Sequence, residues 1–341
     1  MAPRYVVFIF QYTFVTGLGI DTMVPNISRR DFVTGTGIAG ITALAGCSSL
    51  GGGGDGGGGT TRLSWHAGGT GGTYFPLSNE VKQVVENNSD YKLQVQSTGA
   101  SVENVGSLKS GDADFALIQN DVAYFAKNGT GIDAFKGNAV DNLRGVATLY
   151  PETITVVTLK DTGITKPSDL EGKRINTGDL GSGTQVNAVQ ILEALGISDY
   201  DEQNAGFSTA ADQLKNGDID AAFVVGGWPV GAISDLANTH DAEVVEIKGD
   251  NRQKVLDAAP FYATDTIPGG TYSGIGNKRE TVSVQAMIAT RSGLEASTVE
   301  DVTTALFDNL DGLTIKTDFI STGSAQDGMS IDLHEGAKSY F

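Results

Sequence analysis

The chain has one cysteine, Cys47, and three histidines, His66, His240 and His334, far apart along it. A single thiol permits no disulfide within the chain, and isolated histidines offer no metal-ligand spacing. No Ser-His-Asp arrangement can be argued from the sequence, and no cysteine nucleophile lies beyond residue 47. Basic residues are scarce: 23 Lys and Arg stand against 41 Asp and Glu, a formal net charge of −18. That field argues against nucleic acid or anionic lipid as an electrostatic partner. It suits a protein kept soluble in concentrated salt, where the screening length is about 3 Å at 1 M. A halophilic source is the expectation, with an ordinary acidic secreted protein as the alternative. Dinucleotide and phosphate-loop fingerprints are missing too, so no cofactor is implied.

What is present begins with an N-terminal region that does not read as fold. Ser28-Arg29-Arg30-Asp31-Phe32-Val33 has the twin-arginine export pattern, and Ile38 to Ala45 is weakly apolar. Leu44-Ala45-Gly46-Cys47 resembles a lipobox, with the lone cysteine at the position that lipid attachment requires. Met23 is well placed as a start, and Tyr5 to Ile20 is short for a membrane span. Residues 48–61 are nearly all glycine and read as a tether with a reach on the order of 20 Å. The expected location is the outer face of the cell membrane, with lipidated Cys47 as the anchor.

From Thr61 onward strands and helices alternate. Apolar and β-branched runs at 63–66, 92–97, 115–118, 143–149, 153–159, 173–176, 221–225, 243–247, 263–267 and 282–290 read as strands or buried runs. Helical periodicity falls at 75–87, 101–110, 120–127, 184–195, 209–216, 229–237, 251–259 and 298–309, and 330–340 carries weaker helical character. A helix start is expected at Lys166-Pro167, and a cap at Ser297 for the 298–309 helix. Alternation of this kind predicts an α/β fold.

The chain also repeats itself. Leu108-Lys109-Ser110-Gly111-Asp112-Ala113-Asp114 is matched by Leu214-Lys215-Asn216-Gly217-Asp218-Ile219-Asp220, each followed by an apolar strand. Upstream of each lies a glycine- and threonine-rich turn between a strand and a helix. One is Gly68-Gly69-Thr70-Gly71-Gly72-Thr73-Tyr74 and the other Gly181-Ser182-Gly183-Thr184-Gln185. Two similar units predict two lobes with a cleft between them. Residues 62–151 with about 290–341 form the first lobe, and 152–289 the second.

Each turn offers backbone N–H groups and hydroxyls at the positive end of a helix, a ready anion site. Candidate ligand contacts are Gly69, Thr70, Gly72, Thr73 and Tyr74 in one turn, and Ser182, Gly183, Thr184 and Gln185 in the other. Gln119 and Asn120 follow one strand, and Gly226 and Trp228 occupy the equivalent place after another. Tyr150 and Glu152 flank Pro151 at the expected hinge. The aspartates of the repeated turns, Asp112, Asp114, Asp218 and Asp220, read as turn residues rather than ligands.

Several of these motifs together carry a family resemblance. Gly68 to Leu77, the Leu-Lys-x-Gly-Asp-x-Asp turn with Phe115 to Asp121, and Leu149-Tyr150-Pro151-Glu152 resemble the TAXI family. Asp169-Leu170-x-Gly172-Lys173-Arg174, Gly181-Ser182-Gly183-Thr184, Ile191 to Gly196, Asp220 to Phe223, Ile267-Pro268-x-Gly270-x-Tyr272 and Ala305 to Leu310 continue it in register. The resemblance runs from about Thr61 to the C-terminus. TAXI proteins are solute receptors of tripartite ATP-independent periplasmic (TRAP) transporters. The resemblance implies a type II periplasmic-binding fold, two hinge strands at 153–159 and 282–290, and a small organic anion such as glutamate or a dicarboxylate as ligand. It implies as partner a membrane permease, usually fused, driven by an ion gradient. The C-terminal His334-Glu335-Gly336-Ala337 departs from the family's His-Pro-Gly-Ala. A sensor for a signalling partner, or an exported enzyme, would be the competing functions; the sequence names no acid–base pair for the latter.

Overall fold

The structure, a computed structural model, describes residues 61–341. The twin-arginine pattern, Cys47 and the glycine tether lie outside the described residues.

The first half is built from β1 (Thr61–His66), α1 (Tyr74–Asn88), β2 (Tyr91–Gln96), α2 (Ser101–Ser110), β3 (Phe115–Gln119) and α3 (Asn120–Asn128). Strand β1 pairs in parallel with β2 and β3, so α1 and α2 are crossovers packed on the sheet. All of β3 is buried, as expected for a parallel strand covered on both faces. One face carries Trp65, Leu77, Val81 and Phe115. The Trp65 and Phe115 rings stack at 5.6 Å, and the Trp65 indole donates to Ser78 Oγ at 2.9 Å. The other face carries Val105, Leu108, Ile118 and Val122.

A strand of 17 residues, β4 (Leu143–Leu159), then leaves this half and enters the next. There the same order recurs: β5 (Lys173–Asn176), α4 (Gly183–Leu195), β6 (Tyr200–Gln203), α5 (Phe207–Asn216) and β7 (Ala221–Gly226). After it come α6 (Gly231–Thr239), β8 (Ala242–Val245), α7 (Gly249–Ala258) and β9 (Ala263–Ile267). Strand β10 (Arg279–Arg291) returns to the first half, where α8 (Ala296–Phe307) and α9 (Glu335–Tyr340) finish the chain.

The sheet order is β2-β1-β3-β10-β4-β7-β5-β6, with β8 on β4 and β9 on β10. It reads the same from either end: β2-β1-β3 mirrors β6-β5-β7 about the antiparallel pair of β4 and β10. The sequence repeat is therefore a repeat of topology. The mixed α/β fold expected from the alternation is what the chain adopts.

The repeated Gly-Asp turns have one job in both halves. Gly111 and Gly217 end α2 and α5 at φ 87° and 72°, a conformation that costs glycine nothing. The last aspartate of each turn then ties two strands. Asp114 accepts from Ser64 N at 2.9 Å and pairs with Arg291 at 2.9 Å, while Asp220 accepts from Arg174 N at 2.9 Å and pairs with Arg174 at 2.7 Å. These aspartates hold turns, as the sequence predicts.

Some local expectations change. The runs at 143–149 and 153–159 are one continuous strand. Pro151 survives inside it because it sits beside a register shift in the pairing with β10, where a ladder N–H is not required. Lys166-Pro167 starts only a short 3-10 turn, Pro167–Leu170. Helix α8 begins at Ala296, so Ser297 lies inside it and Glu295 takes the cap position. The C-terminal helix is confined to Glu335–Tyr340.

Candidate ligand-binding site

A cavity of about 60 Å³ lies where the two halves meet. One water takes on the order of 10–15 Å³ on such a scale, so this is room for a small solute. Its walls come from the C-terminal ends of β3 and β7, a stretch of β4, and the first residues of four helices: α1, α2, α4 and α5. Two of these helices belong to each half, and they occupy equivalent places in the two repeats. Each helix start carries unpaired N–H groups and roughly half a positive charge.

The first turn holds its shape through Gly72 N, which donates to Gly69 O at 3.2 Å. It also reaches across the cleft. The Thr73 hydroxyl donates to Gly227 O at 3.2 Å, and Gly71 O accepts from Ala232 N at 3.3 Å. The second turn is capped by Ser182, whose hydroxyl accepts from Gln185 N at 3.1 Å and donates to Asp179 O at 2.7 Å. Gly181 O accepts from Val102 N at 3.1 Å and Glu103 N at 3.3 Å at the start of α2. Both glycine turns are thus bonded to the opposite half, and the cleft is shut.

Glycine at 183 is a matter of room. A Cβ there would overlap the Gln119 side-chain oxygen. Gln119 consequently lies flat across the start of α4 and reaches the cavity floor, where its amide donates to Glu152 Oε2 at 2.9 Å. The Tyr150 hydroxyl approaches Glu152 Oε1 at 3.4 Å. Glu152 is 2% exposed. Burial, with some help from the nearby Asp121 charge, pushes its carboxyl up to about 8. Two polar atoms at this floor, Tyr74 Oη and Gln119 Oε1, are buried without a protein partner. Burial and the neighbouring Glu152 also hold the Tyr74 phenol well above its ordinary pKa, so it remains a neutral hydroxyl.

Ala100, at the cap of α2, has φ 71° and is one of two non-glycine residues at positive φ among the described residues. It borders the cavity, where strain of this kind tends to collect.

Of the candidates read from the sequence, Gly69, Gly72, Thr73, Tyr74, Gln119, Glu152, Ser182, Gly183, Thr184 and Gly226 line the cavity together. Five do not. Thr70 is exposed on the outside of its turn. Asn120 holds the frame instead: its oxygen accepts from Gln285 N at 3.0 Å beside the β10 register shift, and its amide donates to Gly328 O at 3.1 Å. Gln185 folds back to accept from Gly181 N at 3.2 Å. Tyr150 stands behind Glu152. Trp228 packs edge-on against Phe319 at 6.2 Å, with the Lys316 ammonium 5.4 Å from its ring and bonded to its carbonyl.

The sequence reading misses Thr98 to Ser101, Asp179, Gly206 and Phe207, all at the cavity wall. A usable signal existed. Gly99-Ala100-Ser101 and Gly206-Phe207 are also strand-to-helix connections, and the rule applied to the two glycine turns extends to them. Ser101 Oγ accepts from Gln119 N at 3.1 Å, which leaves its proton free to point elsewhere.

No Lys or Arg lines the cavity among the described residues. Arg174 is bound to Asp220.

Residues 66–341 match the model of the NMT1-like family. The chain belongs to the NMT1-like family. Solved structures resemble this NMT1-like chain at low identity. One, from Bordetella bronchiseptica RB50, is 15% identical with a TM-score of 0.50, covering 82% of each chain. The alkanesulfonate-binding protein of Xanthomonas axonopodis pv. citri bound to MOPS is 14% identical at TM-score 0.44, over 74% of this chain and 76% of that one. A substrate-binding protein of an amino acid ABC transporter is 15% identical at TM-score 0.43, over 72% and 91%.

Proposed function

We propose that this chain is an extracytoplasmic solute-binding protein that captures a small organic anion, glutamate- or dicarboxylate-like, by closing its two halves around it. The observation that carries this reading is the convergence of four helix N-termini, two from each half, on one small cavity without a cationic side chain among the described residues. Backbone donors and hydroxyls recognise a carboxylate well, each charge-assisted bond being worth about 1.5–3 kcal/mol. Three of them reach roughly the −8 kcal/mol of micromolar binding. Only the closed arrangement brings donors from both halves to one ligand, so binding shifts the open–closed equilibrium. The hinge lies in β4 and β10, the two strands that pass between the halves.

The resemblance to TAXI receptors makes a TRAP-type, ion-driven permease the partner in this proposal. The lipobox makes lipidated Cys47 the anchor on the outer membrane face. Cys47→Ser then releases the protein from washed membranes into the soluble fraction; unchanged membrane association removes the anchor from the proposal. The ligand itself is sought by mass spectrometry of acids that co-purify with the folded protein, followed by a thermal-shift panel of carboxylates. If no carboxylate co-purifies and none raises Tm, the anion reading fails.

A further inference from the structure

An anion attracted to the four helix starts must share its cavity with the Glu152 carboxyl, and the groups around Glu152 do not balance a second negative charge. Tyr74 faces it from α1, Gln119 from β3 and Tyr150 from its own strand, all neutral. The nearest charged contributor is Asp121 of α3, which is of the same sign. Asp179 lines the cavity from the other half. Lys316 lies 6.0 Å from the Tyr150 ring centroid, but its ammonium is bonded to the Trp228 carbonyl and faces Asp265.

Resting on the anion-binding reading above, we propose that Glu152 takes a proton from solvent on closure and works as a neutral carboxylic acid whose O–H donates a hydrogen bond to the captured anion, so that capture takes up a proton and release returns it. In an opened cleft Glu152 meets water and ionises as an ordinary carboxylate. Closure buries it, and the incoming anion raises its proton affinity further. The Tyr74 hydroxyl, buried beside Glu152, is the second neutral donor at the same floor. The sign follows from linkage. The bound, closed state holds one more proton than the free, open state, so affinity falls as pH rises, by at most about tenfold per pH unit. An acid that is neutral when the cleft is closed makes a solute receptor sensitive to the pH that bathes it.

The test is isothermal titration of the full chain with 2-oxoglutarate and with succinate, neither of which carries a cationic group. Near neutral pH the titration is run in phosphate and in Tris, whose ionisation heats differ. The expected result is uptake of about one proton per anion and a Kd that weakens up to about tenfold per unit toward alkaline pH. Glu152→Gln, a permanently neutral donor of the same shape, should keep the neutral-pH Kd within about tenfold while losing both the pH slope and the buffer dependence. Binding with buffer-independent heat and a flat pH profile overturns this inference and leaves the anion reading standing. So does loss of binding in Glu152→Gln with a strong preference for L-glutamate over 2-oxoglutarate, which would make Glu152 an ionised partner for an ammonium group. No binding of any carboxylate by the folded chain overturns both. Should the variant fail to fold, the two-buffer measurement on the unaltered protein decides alone.

Discussion

At the scale of single residues, neighbours in sequence divide between site and frame. Gln119 and Asn120 are adjacent polar residues at the end of β3. Gln119 crosses to the cavity floor, while Asn120 ties β10 and the 328 segment to the first half. Their variants should separate cleanly. Asn120→Ala leaves a buried backbone N–H and a carbonyl unpaired, and should cost about 1–3 kcal/mol of stability with little change in Kd at temperatures where the protein is folded. Thr184→Ala should do the reverse: a Kd raised about 3–10-fold, with Tm nearly unchanged. Thr73→Ala should also weaken binding, but through closure, since its hydroxyl is given to Gly227 O on the opposite half. Calorimetry paired with thermal melts distinguishes these outcomes. The identity of Gln119 and Asn120 as polar strand-end residues was legible in the sequence. Which of them faces the cavity was not, because that depends on β10 and the 328 segment, far away in the chain.

The helix and its leading turn form the next scale. Helices α1, α2, α4 and α5 are ordinary crossovers, and what they share is that their first residues meet at one point. Crowding there decides residue choice. Replacing Gly183 by valine would drive a side chain into Gln119 and break its bond to Glu152. Binding should fall by more than about tenfold while far-ultraviolet circular dichroism stays the same, since a substitution at the first turn of α4 leaves the rest of the helix paired. Ala100 makes the opposite case. At φ 71° it strains the cap of α2, and Ala100→Gly should raise stability by about 1 kcal/mol in a denaturant titration. The two glycine turns stood out in sequence because glycine and threonine cluster there. The α2 and α5 starts carry less glycine and were passed over, although they occupy the same place in each repeat.

The whole molecule adds contacts that no single element contains. Asp121 of α3 in the first half accepts from the Asn187 amide of α4 in the second at 2.8 Å. Each of these side chains keeps one buried oxygen unpaired. Burial raises the Asp121 carboxyl to about 6. Its folded value thus lies above its unfolded one, so its contribution is fully present in acid and is lost as pH rises through about 6. Asp121→Asn removes that loss and puts an amide in place of one unpaired oxygen, beside the other, Asn187 Oδ1. It should stabilise the protein by about 1–2 kcal/mol near pH 7.5, with a smaller gain near pH 4. Thermal melts across that range check it; a variant less stable than the parent at the higher pH would contradict the account. The same arrangement explains the symmetry of the sheet. Two copies of one β-α-β arrangement, placed on either side of the β4–β10 pair, leave their helix starts facing one another.

The sequence by itself determined the local alternation of strand and helix, the repeat, and the chemistry of the two glycine turns. Each of these rests on short-range physics: side-chain periodicity, glycine at left-handed caps and the dipole at a helix start. Tertiary structure decided which side chains share a cavity and that Glu152 and Gln119 form its floor. It also decided that four helix starts rather than two converge there. Those outcomes depend on where β4 and β10 carry the chain between halves, a long-range pairing that no local pattern encodes. The opening glycine turn reads in isolation as an anion site; only its bonds to Gly227 and Ala232 make it one side of a closed clamp.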